Sequence, residues 1–232
     1  AMLLIVITRA NLFKGRMKIQ RFCDGFIIRG SEFSSTTAKG SKELGDVLWG
    51  GWPETLKSGD AESLQEKGGD FLVLQGDTIP LEALAEGEMG RILHVSLNVT
   101  DQFLRTLDDL PIDAVLLELT DETSVPLALE HLVQIATIRT MISCPLMIVR
   151  PCEPSQQEII ALRNAGVEAL VIDIEKASPK ELELLHNSLL NLPQKKSRPE
   201  KAMATLPSLG GGHPPRRPTP DEDPEEEEEE EE

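Results

Sequence analysis

The chain has 232 residues, of which 40% are hydrophobic, so it can bury a core in one large domain or two small ones. Its formal net charge is −17, and aromatic residues make up only 3% of it, with no Tyr. An acidic chain with few aromatic side chains argues against nucleic-acid binding, which needs basic patches and stacking platforms. No apolar run approaches the ~18 residues that a membrane helix requires, so we expect no membrane partner.

The cysteine pattern indicates a reducing compartment. Cys23, Cys144 and Cys152 are odd in number and include no CxxC pair, so neither a disulfide framework nor a zinc site is expected. The N-terminal LLIVI run is too short for the core of a signal peptide. The sequence therefore predicts a cytoplasmic protein without a metal site.

An apolar unit recurs along the chain at a step of about 22 residues. In most copies an acid precedes about four apolar residues, and a residue that breaks the apolar run follows. The units start at Leu4, Asp24, Asp46, Asp70, Arg91, Asp113, Pro145 and Glu168. Continuous runs rich in Val, Ile and Leu are typical of strands that are buried on both faces.

The segments between these units are predicted helices. The first two, residues 11–22 and 31–45, are basic or polar and only weakly helical. The later segments have a Ser, Thr or Asp at the start and a Gly or Pro at the end, which are helix boundary signals. The clearest examples are residues 58–69, 100–111, 153–166 and 178–193.

Eight strands that alternate with helices predict a parallel sheet, and eight is the number that closes a (β/α)8 barrel. The chain resembles a small TIM barrel spanning residues 2–192, and it resembles uncharacterised bacterial barrel proteins with charged tails. This resemblance rests on the period and the count of the units, and no diagnostic family motif accompanies it. The alternative is an open, doubly wound parallel sheet of about six strands that starts at Asp46.

The composition changes abruptly after the predicted barrel domain, residues 1–192. Residues 193–232 are rich in Pro, Gly and charge and end in eight consecutive Glu. Such a segment cannot bury enough apolar surface to offset the entropy of ordering, so we predict a disordered tail. The tail is interpreted as a solubilising extension, as a tether for a basic protein or as an autoinhibitory flap.

A polar ring is predicted at the carboxyl ends of the strands. Side chains alternate faces along a strand, so a residue five positions after the outward-facing start of a unit should point into the barrel near its top. The set consists of Arg9, Arg29, Gly51, Gln75, Ser96, Glu118, Arg150 and Asp173, and all of these except Gly51 are polar. Because active sites of (β/α)8 barrels lie at the C-terminal ends of the strands, the ring marks the expected site.

Two interpretations of the ring remain open. It is either an ion-pair layer that caps the core or a site for a small anionic metabolite. In the second case, arginines and other polar side chains hold the ligand, and Glu118 or Asp173 moves a proton. The predicted ligand contacts are Arg9, Arg29, Trp52, Gln75, Asp77, Ser96 and Arg150, with Arg150 between the two acids. Trp52 is interpreted either as an apolar wall over a ligand or as a core side chain, and Asp77 either as a site residue or as a turn residue.

His94 shares the face of Ser96 and is interpreted either as a base or as a hydrogen-bonded core histidine. The loops that follow the seventh and eighth strands lack glycine, which argues against a standard phosphate site, and no cofactor motif is present. The absence of catalytic signatures favours a degenerate, non-catalytic barrel that serves as a scaffold or interaction protein. The alternative is a barrel enzyme that acts on an anionic metabolite by acid–base chemistry at the strand ends.

Overall fold

The computed structural model describes residues 2–9, 17–30, 47–76, 79–84, 89–119, 127–150 and 154–193. Eight parallel strands close into a barrel in the order β1 to β8, each hydrogen-bonded to its neighbours in sequence, with β8 paired to β1. The strands are Leu3–Arg9, Gly25–Arg29, Leu48–Trp52, Phe71–Leu74, Gly90–Ser96, Ala114–Glu118, Leu146–Arg150 and Ala169–Asp173. The predicted barrel is therefore confirmed, and the open six-stranded alternative is wrong.

Within the described residues, five α-helices lie between or after these strands. They are α1 (Asp60–Glu66), α2 (Asp101–Thr106), α3 (Leu129–Met141), α4 (Gln156–Ala165) and α5 (Pro179–Leu190). A 3-10 helix at Met17–Phe22 occupies part of the first crossover, where the sequence was only weakly helical. Further 3-10 turns occur at Leu81–Leu84, Leu107–Asp109 and Ile174–Lys176.

The predicted helix starts carry their caps. Thr100, Ser155 and Ser178 each accept a hydrogen bond from a backbone N–H of the first turn of α2, α4 and α5, respectively. Helix α4 ends at Gly166, whose φ of 99° is the left-handed conformation that glycine adopts at helix ends. Local chemistry thus sets where these helices begin and end.

The core has two layers separated by the barrel wall. An inner cluster fills the barrel with alternate residues of the strands, including Ile7, Ile27, Leu116 and Val171. An outer cluster lies between the strands and the helices and includes Leu4, Ile28, Leu117 and Ile172. This division fixes which face each strand residue occupies, because neighbours in sequence fall into different clusters.

The acids that start four of the units form a repeated clamp at the amino-terminal end of the barrel. The carboxylate at the start of each even-numbered strand accepts the backbone N–H of a residue in the preceding strand. The backbone N–H of the same acid donates to the carbonyl of that same residue. The four pairs are Asp24 with Leu4, Asp70 with Trp49, Asp113 with Arg91 and Glu168 with Leu146.

The recurring acids therefore have a structural role, since each satisfies a backbone donor at the start of a strand pair.

No helix in the described segments combines the length and the hydropathy needed to span a lipid bilayer. The predicted tail lies outside the described residues, apart from Pro193.

Candidate functional site

Six of the eight predicted ring residues lie on the inner face of their strands. The register aligns Arg9 with Arg29 and Ser96 with Glu118, which are neighbouring strand ends on the same face. Asp173 follows Val171 by two residues, and Val171 belongs to the inner cluster. The inward six are Arg9, Arg29, Gln75, Ser96, Glu118 and Asp173, all near the carboxyl ends of the strands.

The predicted place of Arg150 in this ring is wrong. Val149 belongs to the inner cluster and Ile148 to the outer one, so Arg150 lies on the outer face of β7. Its side chain is fully buried there, and Nη2 lies 3.4 Å from the carboxylate of Glu158 on α4. Arg150 therefore joins the barrel wall to a helix and does not line the mouth.

The same shift of one residue affects β3. Gly51 lies on the outer face, and the inward residue at this level is Trp52, which belongs to the inner cluster and is fully buried. Gly50, the inward residue below it, is packed so closely against Phe71 that an added Cβ would overlap the ring and the carbonyl oxygen of Phe71. Glycine at this position therefore lets β4 approach β3 beneath the indole.

A row of side chains in mutual contact crosses the mouth from β2 to β6. The guanidinium carbon of Arg29 lies 4.4 Å from the ring centroid of Trp52, and Trp52 Nε1 donates to Oε1 of Gln75 over 2.6 Å. The ring of His94 lies 4.9 Å from that of Trp52, and His94 Nε2 lies 2.9 Å from Oε2 of Glu118. The largest aromatic side chain of the interior is thus held between a cation and a histidine–carboxylate pair.

His94 and Glu118 form the one pair at the mouth, within the described residues, that is suited to proton transfer. Both are partly shielded, with side-chain exposures of 11% for His94 and 23% for Glu118. A carboxylate bonded to one ring nitrogen fixes the orientation of an imidazole. His94 is therefore a hydrogen-bonded histidine whose partner is Glu118, and its role as a base stays a prediction.

A cavity of roughly 640 Å³ opens across the mouth from the His94–Glu118 pair, where β8, β1 and β2 end. Arg9, Arg29 and Asp173 line it together, as the ring predicted. The sequence reasoning did not single out two further acids in its lining, Glu54 and Glu175. Both follow a strand end by two residues, after Trp52 and Asp173, and that position is the signal that could have identified them.

The charges in this cavity are only partly paired. Arg9 Nε lies 3.1 Å from Glu175 Oε1, an ion pair in which the Arg9 side chain is 67% exposed. Asp173 Oδ1 accepts the backbone N–H of Glu175 over 2.9 Å, which caps the 3-10 turn after β8. Among the side chains that the structure describes, neither Arg29 nor Asp173 has an ion-pair partner.

The remaining candidates contribute less. Ser96 is exposed and lies on the β5 side of the mouth, and Gln75 is exposed at the end of β4. Asp77 and Cys152 lie outside the described residues. Burial, and secondarily the charge of Asp24, raise the pKa of the Cys23 thiol to about 12, so this cysteine is not a nucleophile at neutral pH. The described segments contain no group of three or more side chains that could hold a metal ion.

Fold and site together define a (β/α)8-barrel protein with a polar cavity at the carboxyl ends of its strands. No protein-family model matches the chain, and no curated protein matches it.

Similar solved structures include phosphoribosyl anthranilate isomerase from Thermus thermophilus, at 17% identity over 83% of this chain and 100% of that one, with a TM-score of 0.63. 3-Hexulose-6-phosphate synthase from Salmonella typhimurium is 14% identical over 82% and 99% of the two chains, with a TM-score of 0.65. The tryptophan synthase A-subunit from Pyrococcus furiosus is 11% identical over 81% and 96%, with a TM-score of 0.63. At such identities the likeness shows the fold alone.

Proposed function

We propose that this barrel binds a small metabolite with an anionic group at the mouth cavity, and that Glu118 with His94 supplies an acid–base group from the opposite side of the same mouth. The observation that carries the proposal is Arg29, a half-buried cation that lines the cavity without a carboxylate partner among the described residues. An arginine in a concave site is suited to carboxylates and phosphates because its donors match their geometry.

The size and position of the cavity support this proposal. Ligand pockets range from about 300 to 1,000 Å³, and this cavity of roughly 640 Å³ lies within that range. It lies at the end of the barrel where this fold carries its active sites. The stacking of Arg29 over Trp52 restrains the guanidinium before a ligand arrives, which lowers the entropy cost of binding.

A second candidate is a non-catalytic scaffold whose tail engages a basic protein. The observation in its favour is that Arg9 pairs with Glu175 and His94 pairs with Glu118 inside the chain. Ion pairs of this kind also serve to cap a barrel interior without any ligand. In that case the mouth contributes to stability, and binding to a partner depends on residues 193–232.

The two candidates differ in their response to ligands. We expect at least one anion from a panel of inorganic phosphate, carboxylates and phosphate esters to raise the melting temperature of the parent protein. Arg29→Met keeps the apolar stem over Trp52 and removes the charge, so it should abolish that increase. Arg105→Met, at an exposed position of α2, is the matched control and should respond like the parent.

The scaffold predicts that no anion stabilises the parent, and this outcome would contradict the proposal. An unchanged ligand response in Arg29→Met would contradict the assignment of the site. The role of Glu118 is checked separately, since Glu118→Gln should retain ligand-induced stabilisation while removing any turnover found with the bound compound.

A further inference from the structure

We infer that the ligand of the mouth cavity is dipolar, with a carboxylate or phosphate group that binds Arg29 and an ammonium group that binds Asp173. This inference rests on the proposed function and narrows its ligand from an anionic compound to one that carries both charges. It follows from the placement of opposite charges around a shared cavity.

Arg29 is the anion-binding side of the cavity. Its guanidinium carbon lies 4.4 Å from the centroid of the Trp52 ring, a cation–π contact that does not neutralise the charge. The guanidinium carries five N–H donors, more than one indole ring can engage, so donors remain for an oxyanion. Although three acids line the same cavity, none of them forms an ion pair with Arg29.

Asp173 is the cation-binding side. One carboxylate oxygen accepts the backbone N–H of Glu175, and no lysine or arginine whose side chain the structure describes pairs with the carboxylate. The register places Asp173 level with Ile7 of β1, whereas Arg29 is level with Arg9 of the same strand. Strand β1 therefore separates the two residues by two strand spacings and by an offset of two residues along the strand, about 12 Å between their backbone positions. Opposite charges that share a cavity without touching leave a gap that a dipolar ligand can bridge.

The charge balance of the cavity also disfavours a simple anion. Among the lining residues that the structure describes, Arg9 is paired with Glu175, so the charges that remain are Arg29 against Glu54 and Asp173. A dianion such as inorganic phosphate would gain one cation and face two carboxylates. An ammonium group on the ligand turns one of these repulsions into an attraction, which gives the cavity a preference between ligands that differ only in that group.

The test uses the full chain and three matched sets of probes. Glycine, 4-aminobutyrate and 6-aminohexanoate carry both charges at increasing spacing, and each is compared with the carboxylate and the amine of the same length. Inorganic phosphate is the simple dianion. We expect at least one dipolar probe to bind at least about tenfold more tightly than both of its counterparts, measured by calorimetry or by the shift of the melting temperature.

Two variants connect this preference to the named side chains. Asp173→Asn retains an oxygen acceptor for the Glu175 N–H and loses the charge, so it should remove the advantage of the dipolar probe over its carboxylate counterpart. Arg29→Met should remove the advantage over the amine counterpart, and Arg29→Lys, which keeps a cation, should restore part of it. Asp109→Asn, at an exposed position outside the mouth, is the control for Asp173→Asn.

The possible failures are distinct. If phosphate or a simple carboxylate binds through Arg29 at least as tightly as every dipolar probe, or if Asp173→Asn leaves the advantage of the dipolar probe over its carboxylate counterpart unchanged, the dipolar inference is overturned and the proposed function stands. If no anion or dipolar compound binds the parent protein, both are overturned.

Discussion

Replacing Glu158 with Ala should be among the most destabilising changes at the carboxyl end of the barrel. Oε1 of this side chain accepts the N–H of Leu127 over 2.7 Å and lies 3.4 Å from Nη2 of Arg150. Oε2 accepts the N–H of Ser155 over 2.6 Å, which completes the cap of α4. A single carboxylate thus connects the start of α3, the start of α4 and the outer face of β7.

The expected loss in the free energy of unfolding in Glu158→Ala follows from these contacts. Each backbone N–H bond to a partly shielded carboxylate contributes about 1–1.5 kcal/mol. Removing the carboxylate that faces a fully buried arginine adds about 1–2 kcal/mol, below the 3–5 kcal/mol of a fully buried pair, because the Glu158 side chain is 16% exposed. The expected loss in the free energy of unfolding is therefore about 3–5 kcal/mol. At about 2–4 °C for each kcal/mol in a domain of this size, the melting temperature should fall by roughly 6–20 °C.

Urea unfolding followed by tryptophan fluorescence measures this loss, with Glu183→Ala as the control. Glu183 occupies an exposed position of α5, so its replacement should change the free energy of unfolding by less than about 0.5 kcal/mol. Arg150→Met should also destabilise the fold while leaving any ligand response of the mouth intact, because Arg150 lies outside the cavity lining. A loss below about 1 kcal/mol in Glu158→Ala would refute the reasoning, since two backbone bonds alone should exceed it.

The stabilising effect of Glu158 should also depend on pH. Burial alone raises the pKa of its carboxyl, but the hydrogen bonds from Leu127 and Ser155 and the charge of Arg150 outweigh it and hold the pKa below the ordinary value of 4.5. A carboxyl whose pKa is lower in the folded state stabilises the fold above its unfolded pKa and loses that effect as the pH falls through the folded pKa. The difference between the parent and Glu158→Gln should therefore be constant near neutral pH and shrink below about pH 4.5.

The remaining predictions concern the amino-terminal clamps and the packing beneath the indole. Asp70→Ala removes the acceptor of the Trp49 N–H and should cost about 1–2 kcal/mol in urea unfolding; no change would show that water replaces the carboxylate. Gly50→Ala should cost more than about 3 kcal/mol or prevent folding, because the obstacle includes the Phe71 backbone, which cannot rotate away. Gly59→Ala, where an added Cβ meets nothing within 4 Å, should lose only the ~1 kcal/mol of its positive φ and serves as the comparison.

The barrel itself was readable from the sequence because both faces of every strand are buried. That burial produces continuous apolar runs, and the short crossovers keep the runs at a nearly constant step. The helix caps were readable for a similar reason, since Thr100, Ser155 and Ser178 act on groups only three residues away. Helix α3 was harder to delimit, because no Ser, Thr, Asp or Asn side chain caps its start.

Whether the inward-facing residues of a strand were predicted correctly depends on whether an acid clamps the start of that strand. All four even-numbered strands begin after an acid whose backbone and side chain pair with the preceding strand, and in all four the residue five positions later lies on the inner face. The odd-numbered strands lack such a described acid, and in two of them, β3 and β7, the predicted phase is off by one residue. Their phase is set by the strand that follows, through Trp49 with Asp70 and Leu146 with Glu168.

This dependence explains both the success and the error in the predicted mouth. Arg29, Glu118 and Asp173 stand on even-numbered strands, where a local acid fixes the face, so their convergence was predictable. Arg150 stands on β7, where the face depends on a partner more than twenty residues away, and a shift of one residue moves an arginine from the mouth to the helix layer. The clamps thus determine which side chains reach the cavity, although they lie at the opposite end of the strands. A substitution at a clamp that shifted the register would therefore change the charges of the mouth without altering any residue in it.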